Sequence, residues 1–331
     1  MGKQKTVMLP KKGDISLARN PRIAFEHKWD GTQGRLDKNR LINKDNVDYT
    51  LRIPEIMESA HLISDDFKMD GEIVVLNEQG GSDFNNGSRR CRTQDLAKQK
   101  QYREEYPAVF MAYELTELNG ENLEQQPYEE RKRLLQELIM GSRQDVIRYV
   151  PYVIEGKQEF YDKMVSLGEE GVVAKQLGSK YIRGEMPTWR KVKHFDSDRV
   201  RVIGYTEGQG RRTGQFGAVL LARDVDGELI YYGSVGSGFN YAEMKQVTAI
   251  LKKGETDTPL VYSDNIKVDY TPVDTSLEVT IKYQEITEAG VPRIPSIKKD
   301  DHGVNMIHYN DPTITASPAQ TSLAKLLASI S

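Results

Sequence analysis

Four short cassettes constrain the fold of this chain more than anything else in it. They are Lys28-Trp29-Asp30-Gly31-Thr32-Gln33, Asp70-Gly71-Glu72, Glu170-Gly171-Val172-Val173-Ala174-Lys175 and Trp189-Arg190-Lys191-Val192-Lys193. Each sets charged residues beside a glycine or inside a β-prone run. Strands hold such side chains stiffly and present them at the rim of a cleft. A sheet-centred α+β fold, with helices packed outside strands that carry the chemistry, is therefore expected.

The residue types suit nucleotide transfer. Lys28 and Asp30 are two apart, so a strand presents both on one face. A lysine amine freed of its proton by burial or by neighbouring cations can attack the α-phosphate of a nucleotide, forming a phosphoramidate and releasing pyrophosphate. An Asp-Gly hairpin beside a surface lysine would give the same letters. Lys191 and Lys193 also share a face, with Val192 turned to the core, and a bound phosphate would relieve their repulsion; an edge strand blunted by lysines is the plainer reading. Glu72 and Glu170 each adjoin a glycine and are candidates to hold sugar or metal. Glu170 and Lys175 are an odd number apart, which places them on opposite faces of a regular strand and leaves Lys175 outside the candidate site. Asp70 and Glu169 are expected as turn or surface charges. Tyr113, amid apolar residues, could stack on a base or simply fill the core.

A chain of 331 residues exceeds the size at which one core keeps growing, so two domains are expected. The single cysteine, Cys91, excludes internal disulfides and a cysteine-based zinc site. No apolar run is long enough to span a bilayer, and the first residues lack a secretory apolar stretch, so a cytoplasmic protein is expected. Net charge is -3. That does not announce a nucleic-acid binder, but Ser88 to Arg92, Arg190 to Lys193, Arg199 to Arg201 and Gln209 to Arg212 are locally basic.

Along the chain, strands are expected at Ile23 to Trp29, Phe67 to Leu76, Ala108 to Leu115, Gly171 to Ala174 and Thr188 to Lys193, with a hairpin about Asn43 to Asp48. Asp95 to Glu105, Pro127 to Ile139 and Gly156 to Leu167 read as helices. From Arg199 the texture changes to short glycine-punctuated strands with one helix, Tyr241 to Leu251, which suggests a small OB-type barrel. The expected domains are 1–195, 196–310 and a flexible tail, 311–331. No Gly-rich phosphate loop ending in Gly-Lys-Ser or Gly-Lys-Thr occurs.

The combined motifs resemble those of the ATP-dependent DNA ligases, within the covalent lysyl-nucleotidyltransferase superfamily. The resemblance runs from Ile23 to about Asp301 and includes Leu118-Asn119-Gly120, Pro127 with Arg131, Gly233 to Phe239, and Arg293-Ile294-Pro295. It implies a nucleotidyltransferase domain built on an ATP-grasp-like antiparallel sheet, followed by an OB-fold barrel. It further implies that Lys28 is adenylylated within a motif completed by Asp30 and Gly31. Tyr113 would stack on adenine, Glu26 would lie near the adenine edge and Glu72 would contact ribose. Glu170, with Glu72, would hold magnesium or manganese, and Lys191 and Lys193 would grip the phosphates of ATP. The implied partner is nicked duplex DNA, bound by a monomer with no membrane attachment. With no room before Ile23 for a further DNA-binding domain, a compact two-domain form is expected, with a loop at Arg89 to Arg92 as a candidate to grip phosphates.

Three positions depart from the pattern. Gln33 stands where arginine is usual, Lys44 replaces an arginine of the following hairpin, and the last motif offers only Lys298 and Asp300, with Asp301 reversing its final charge. An RNA ligase, a capping-type nucleotidyltransferase, or a non-catalytic OB nucleic-acid binder with a decayed ligase domain are the alternatives. The tail residues Gln320, Leu323, Leu326 and Leu327 have the spacing of peptides that dock on sliding clamps.

Overall fold

The computed structural model of the protein describes residues 7–287, 289–300 and 302–309. Asp301 and the tail residues Gln320, Leu323, Leu326 and Leu327 lie outside them. The chain parts between His194 and Phe195 into two compact units.

The first unit holds β1 (Met8–Lys12), β2 (Ile23–His27), β3 (Thr32–Leu36), β4 (Leu41–Ile42), β5 (Phe67–Val75), β6 (Ala108–Leu118), β7 (Glu121–Asn122), β8 (Ile147–Tyr149), β9 (Tyr152–Val153), β10 (Gly171–Gln176) and β11 (Gly184–Lys193). Its helices are α1 (Pro54–Leu62), α2 (Phe84–Arg92), α3 (Leu96–Glu105), α4 (Tyr128–Met140) and α5 (Lys157–Ser166). One sheet runs β1-β11-β10-β2-β9; the other runs β4-β3-β5-β6-β7, with β8 also on β6. The expected antiparallel pairing holds except at two places, β1 on β11 and β8 on β6, which are parallel. Strand β8 returns to β6 through α4, and a helical crossover is what a parallel pair requires.

Alternation along the strands explains the layers. Phe110 and Ala112 of β6 join Ile56, Ala60, Leu135 and Leu138 in a core under α1 and α4, whereas Val109 and Met111 turn to the opposite face. In the other sheet Phe25, Val172, Ala174 and Val192 pack against Met164 and Phe160 of α5. Both sheets thus bury one apolar face under helices; on the second face, Val109 and Met111 pack with Trp29 and Tyr113.

Four expectations need correction. Helices α1 and α2 were not anticipated: α1 is short, and α2 has no apolar stripe. Arg89 to Arg92 are therefore helical rather than a loop, and Arg90 is buried, bonded to Glu55 at 2.5 Å and to Gln99. Strand β1, ahead of the first expected strand, was not anticipated either. Asp70 and Glu169 are not surface charges: they are only 1% and 8% exposed. Asp70 is held by Arg35 at 2.9 Å and by the Tyr181 hydroxyl, and Glu169 by His27 at 2.8 Å.

The second unit comprises β12 (Asp196–Glu207), β13 (Phe216–Val225), β14 (Glu228–Val235), α6 (Tyr241–Lys253), β15 (Thr271–Pro272), β16 (Glu278–Tyr283), β17 (Ser296–Ile297) and β18 (Ile307–His308). Its sheet runs β14-β13-β12-β16-β17. The long β12 pairs with β16 through its first half and with β13 through its second, as a strand bent around a barrel does. Val202, Val219, Val247, Leu251 and Ile281 share its core. Helix α6 opens on a reciprocal cap between Asn240 and Glu243. Lys298 donates to Ser197 Oγ at 2.9 Å, and Asp300 accepts the backbone N–H groups of His302 and Val304, both at 2.9 Å. The OB-type barrel is present as expected. Among the described residues no helix is long and apolar enough to cross a membrane.

Candidate active site

The second faces of the two sheets in the first unit line a cavity of about 180 Å3. Strand parity selects its walls. Glu26 and then Lys28 come from β2 and its exit, Val173 and Lys175 from β10, Trp189, Lys191 and Lys193 from β11, Glu72 from β5 and Tyr113 from β6. Register does the rest: Val173 lies between Glu26 and Lys191, and Gly171 opposite Lys193. The Lys28 N–H donates to the Gly171 carbonyl at 3.0 Å, so the nucleophile candidate remains tied to β10 after β2 has ended.

Two glycines are obligatory here. A Cβ on Gly31 would run into the Ile73 carbonyl oxygen, and one on Gly171, whose φ is 126°, would run into the Val192 carbonyl oxygen. Those close approaches bring the loop after Lys28 onto β5, and Glu170 onto the end of β11.

The Glu170 carboxylate is shared. One oxygen pairs with Lys28 Nζ and the other with Lys193 Nζ. Glu170 lies behind the cavity rather than in its wall, and the charges of both lysines hold it below the usual carboxylate range although burial opposes them. Glu72 faces this cluster from the other sheet. Burial pushes its carboxyl up to about 8, with the Glu170 and Asp30 charges adding to the rise and Lys28 and Lys44 opposing it. The Lys191 ammonium is lowered by burial and then by Lys193 and Lys28.

At the other end the cavity is aromatic. Trp189 stands edge-on to Tyr113 at 6.0 Å between centroids. Lys175 Nζ lies 4.1 Å from the Trp189 ring centre, donates to the Tyr113 carbonyl at 3.0 Å and pairs with Glu26 at 2.7 Å. Excluding Lys175 was an error of parity: Glu170 precedes the strand, and Gly171 is not extended, so counting through them fails. Glu26 is also bonded to Lys132 at 3.1 Å and to the Tyr128 hydroxyl at 2.6 Å. Burial alone would raise its carboxyl, but the two lysines hold it low. Lys132, fully buried on α4, escaped sequence reasoning; a lysine on the apolar side of that helix was its only signal.

Of the other candidates, Asp30, Gly31 and Lys44 do not line the cavity. Lys44 is exposed on the turn after β4, and only its charge reaches Glu72. Gln33, paired across the sheet with Glu72, does line it, and both its amide atoms and the Trp29 Nε1 are buried without a hydrogen-bond partner. Among the described residues no three His, Cys, Asp or Glu gather to hold a metal.

The sequence matches the ATP dependent DNA ligase domain over residues 9–193 and the ATP dependent DNA ligase C terminal region over 212–301. The chain belongs to the ATP-dependent DNA ligase family. It is 32% identical over 235 residues to the multifunctional non-homologous end joining protein LigD of Pseudomonas aeruginosa, covering 68% of this chain and 26% of that protein. It is 30% identical over 255 residues to DNA ligase 1 of Methanosarcina acetivorans, covering 69% of this chain and 43% of that protein. The chain thus spans less than half the length of either relative. The ligase domain of M. tuberculosis LigD shares its fold, with a TM-score of 0.53 at 24% identity over 88% of this chain and 93% of that domain.

Proposed function

We propose that this chain seals 5′-phosphate/3′-hydroxyl nicks in duplex DNA at the expense of ATP. The observation that carries the reading is the pairing of both Lys28 and Lys193 with one carboxylate, that of Glu170, at a cavity that Lys28, Lys193 and Glu72 line and whose far end is aromatic. Adenine would stack on Tyr113, with Glu26 at its edge, while Lys191 and Lys193 neutralise phosphate charge. Lys28 Nζ loses one proton toward Glu170 before attack; the nitrogen–phosphorus bond then forms as the bond to pyrophosphate breaks, and the nitrogen's second surplus proton passes to water, leaving a phosphoramidate with a neutral nitrogen. AMP then passes to the 5′-phosphate of a nick, and the 3′-hydroxyl displaces it. Positioning and charge neutralisation supply the catalysis. The unpartnered Gln33 amide and Trp29 Nε1 suit a polar ligand such as the nucleotide.

Glu72 and Glu170 fit a hard divalent cation: both are oxygen donors, and each carboxylate raises the cost of ionising the other. Magnesium held by these two carboxylates would supply charge neutralisation at the reacting phosphate. The enzyme acts as a monomer, and the spacing of Gln320, Leu323, Leu326 and Leu327 supports docking of its tail on a sliding clamp.

The decisive experiment incubates the protein with labelled ATP or GTP, then with nicked DNA or RNA. An acid-labile adduct formed from ATP, absent in Lys28→Ala and discharged by nicked DNA, is the expected result. Labelling by GTP would favour a capping-type enzyme, and discharge only by RNA an RNA ligase. No adduct with any nucleotide would favour the decayed, non-catalytic reading.

A further inference from the structure

One buried acid beside the site has no part in that reaction. Glu169 immediately precedes Glu170. One of its oxygens pairs with His27 Nε2 at 2.8 Å and accepts from Ser82 Oγ at 3.2 Å; the other accepts from the Ser82 N–H at 3.0 Å. Ser82 Oγ in turn accepts the Asp30 N–H at 3.0 Å. His27 comes just before Lys28 and Asp30 two residues after it, so one carboxylate ties down the chain on both sides of the nucleophile.

The surroundings are built for this contact. The turn before Ser82 is closed by Asn77, whose side chain accepts the Gly81 N–H at 2.8 Å and whose own N–H donates to the Gly81 carbonyl at 2.9 Å. A Cβ on Gly81 would occupy the place of the Glu169 carboxylate. The His27 ring leans on Trp29 with centroids 4.0 Å apart, which fixes the residue on the far side of Lys28 as well.

We propose that Glu169 is a positioning residue for the nucleophile: through His27 and Ser82 it fixes the backbone flanking Lys28, and so sets where Nζ meets the proximal phosphorus of the nucleotide. The proposal rests on the nick-sealing reading. It predicts damage confined to steps in which Lys28 makes or breaks its bond to phosphorus, because Glu169 touches neither the cavity nor the phosphate-binding lysines.

The test compares wild type, Glu169→Ala, Ser82→Ala and Glu169→Gln in the full chain. Three quantities are measured: the rate of lysyl-AMP formation at saturating ATP, its KM for ATP, and closure of a nick supplied already adenylylated, which bypasses the attack by Lys28. A displacement of about 1 Å can cost about 100-fold, so Glu169→Ala should slow lysyl-AMP formation by about 10- to 100-fold. Its KM should stay within about threefold, and closure of the adenylylated nick within about twofold, of wild type. Glu169→Gln, which can still accept from Ser82, should recover part of the loss, and Ser82→Ala should show a smaller loss of the same kind. An unchanged rate in Glu169→Ala, or an equal loss on the adenylylated nick, overturns the proposal. Should Glu169→Ala not fold, Ser82→Ala decides by the same criteria. A wild type that forms no lysyl-AMP at all would sink the nick-sealing reading instead, and the proposal with it.

Discussion

Replacing Lys132 by methionine should change how the stability of the first unit depends on pH. The Lys132 ammonium is fully buried, donates to the Val150 carbonyl at 2.6 Å, and shares Glu26 with a second cation, Lys175. Burial first, and then the Lys175 charge, push it down from 10.5 to about 8, although Glu26 pulls the other way. In the unfolded chain the amine titrates near its ordinary value. Between about pH 8 and 10.5 the unfolded chain therefore binds more protons, and folding stability rises with pH across that window. Below pH 8 both states are charged and the residue adds no slope. At about 1.36 kcal/mol per pH unit, the whole window is worth about 3 kcal/mol. Both tryptophans of the chain, Trp29 and Trp189, lie in the first unit, so their fluorescence follows its unfolding within the intact protein. Urea transitions at a series of pH values from about 7 to 10.5 should show wild type gaining about 3 kcal/mol on Lys132→Met, with the gain beginning near pH 8. Parallel pH profiles would refute the reasoning, because the amine would then titrate in the folded protein much as it does in water.

Three further outcomes are expected. Gly171→Ala, forced to hold a positive φ and to press on the Val192 carbonyl, should cost about 1–3 kcal/mol by the same fluorescence assay, and should slow lysyl-AMP formation as Glu170 shifts. Arg131 is fully buried and forks onto Glu114 at 2.8 and 2.9 Å, so Arg131→Met should cost about 3–5 kcal/mol; urea unfolding of the double variant with Glu114→Leu should show most of that recovered. The Glu72 carboxyl is neutral below about 8, so the magnesium concentration needed for half-maximal lysyl-AMP formation should fall as pH rises toward 8 and level off above it. Glu72→Gln should lose that dependence, and a profile unchanged by the substitution would remove Glu72 from the cation site.

The strands that carry the four cassettes were legible because their period of two sorts charge from core. Val192 facing α5 while Lys191 and Lys193 face the cavity follows from alternation alone. Parity failed at Lys175, where the count ran through a residue that is not extended. Asp70 looked like a turn charge because its partner, Arg35, is a neighbour only in the register of β3 on β5. Helix α2 was hidden for a related reason. Its buried face consists of Gly87, Arg90 and Cys91, and what makes an arginine a core residue there is Glu55 on α1, far away in sequence. Apolar periodicity reads such helices poorly, since their burial is secured by ion pairs rather than by a greasy stripe. The same limit hid Lys132 and the Glu169 clamp.

On the nick-sealing reading, the acid held in common by two amines gives the centre a memory. A lysine that has taken up AMP is no longer a cation, so Glu170 keeps one tether where it had two. The first transfer dismantles the arrangement from which it started, and departure of AMP to a DNA end restores it. Such a centre cannot load twice before it has discharged, and the ratchet needs no moving part.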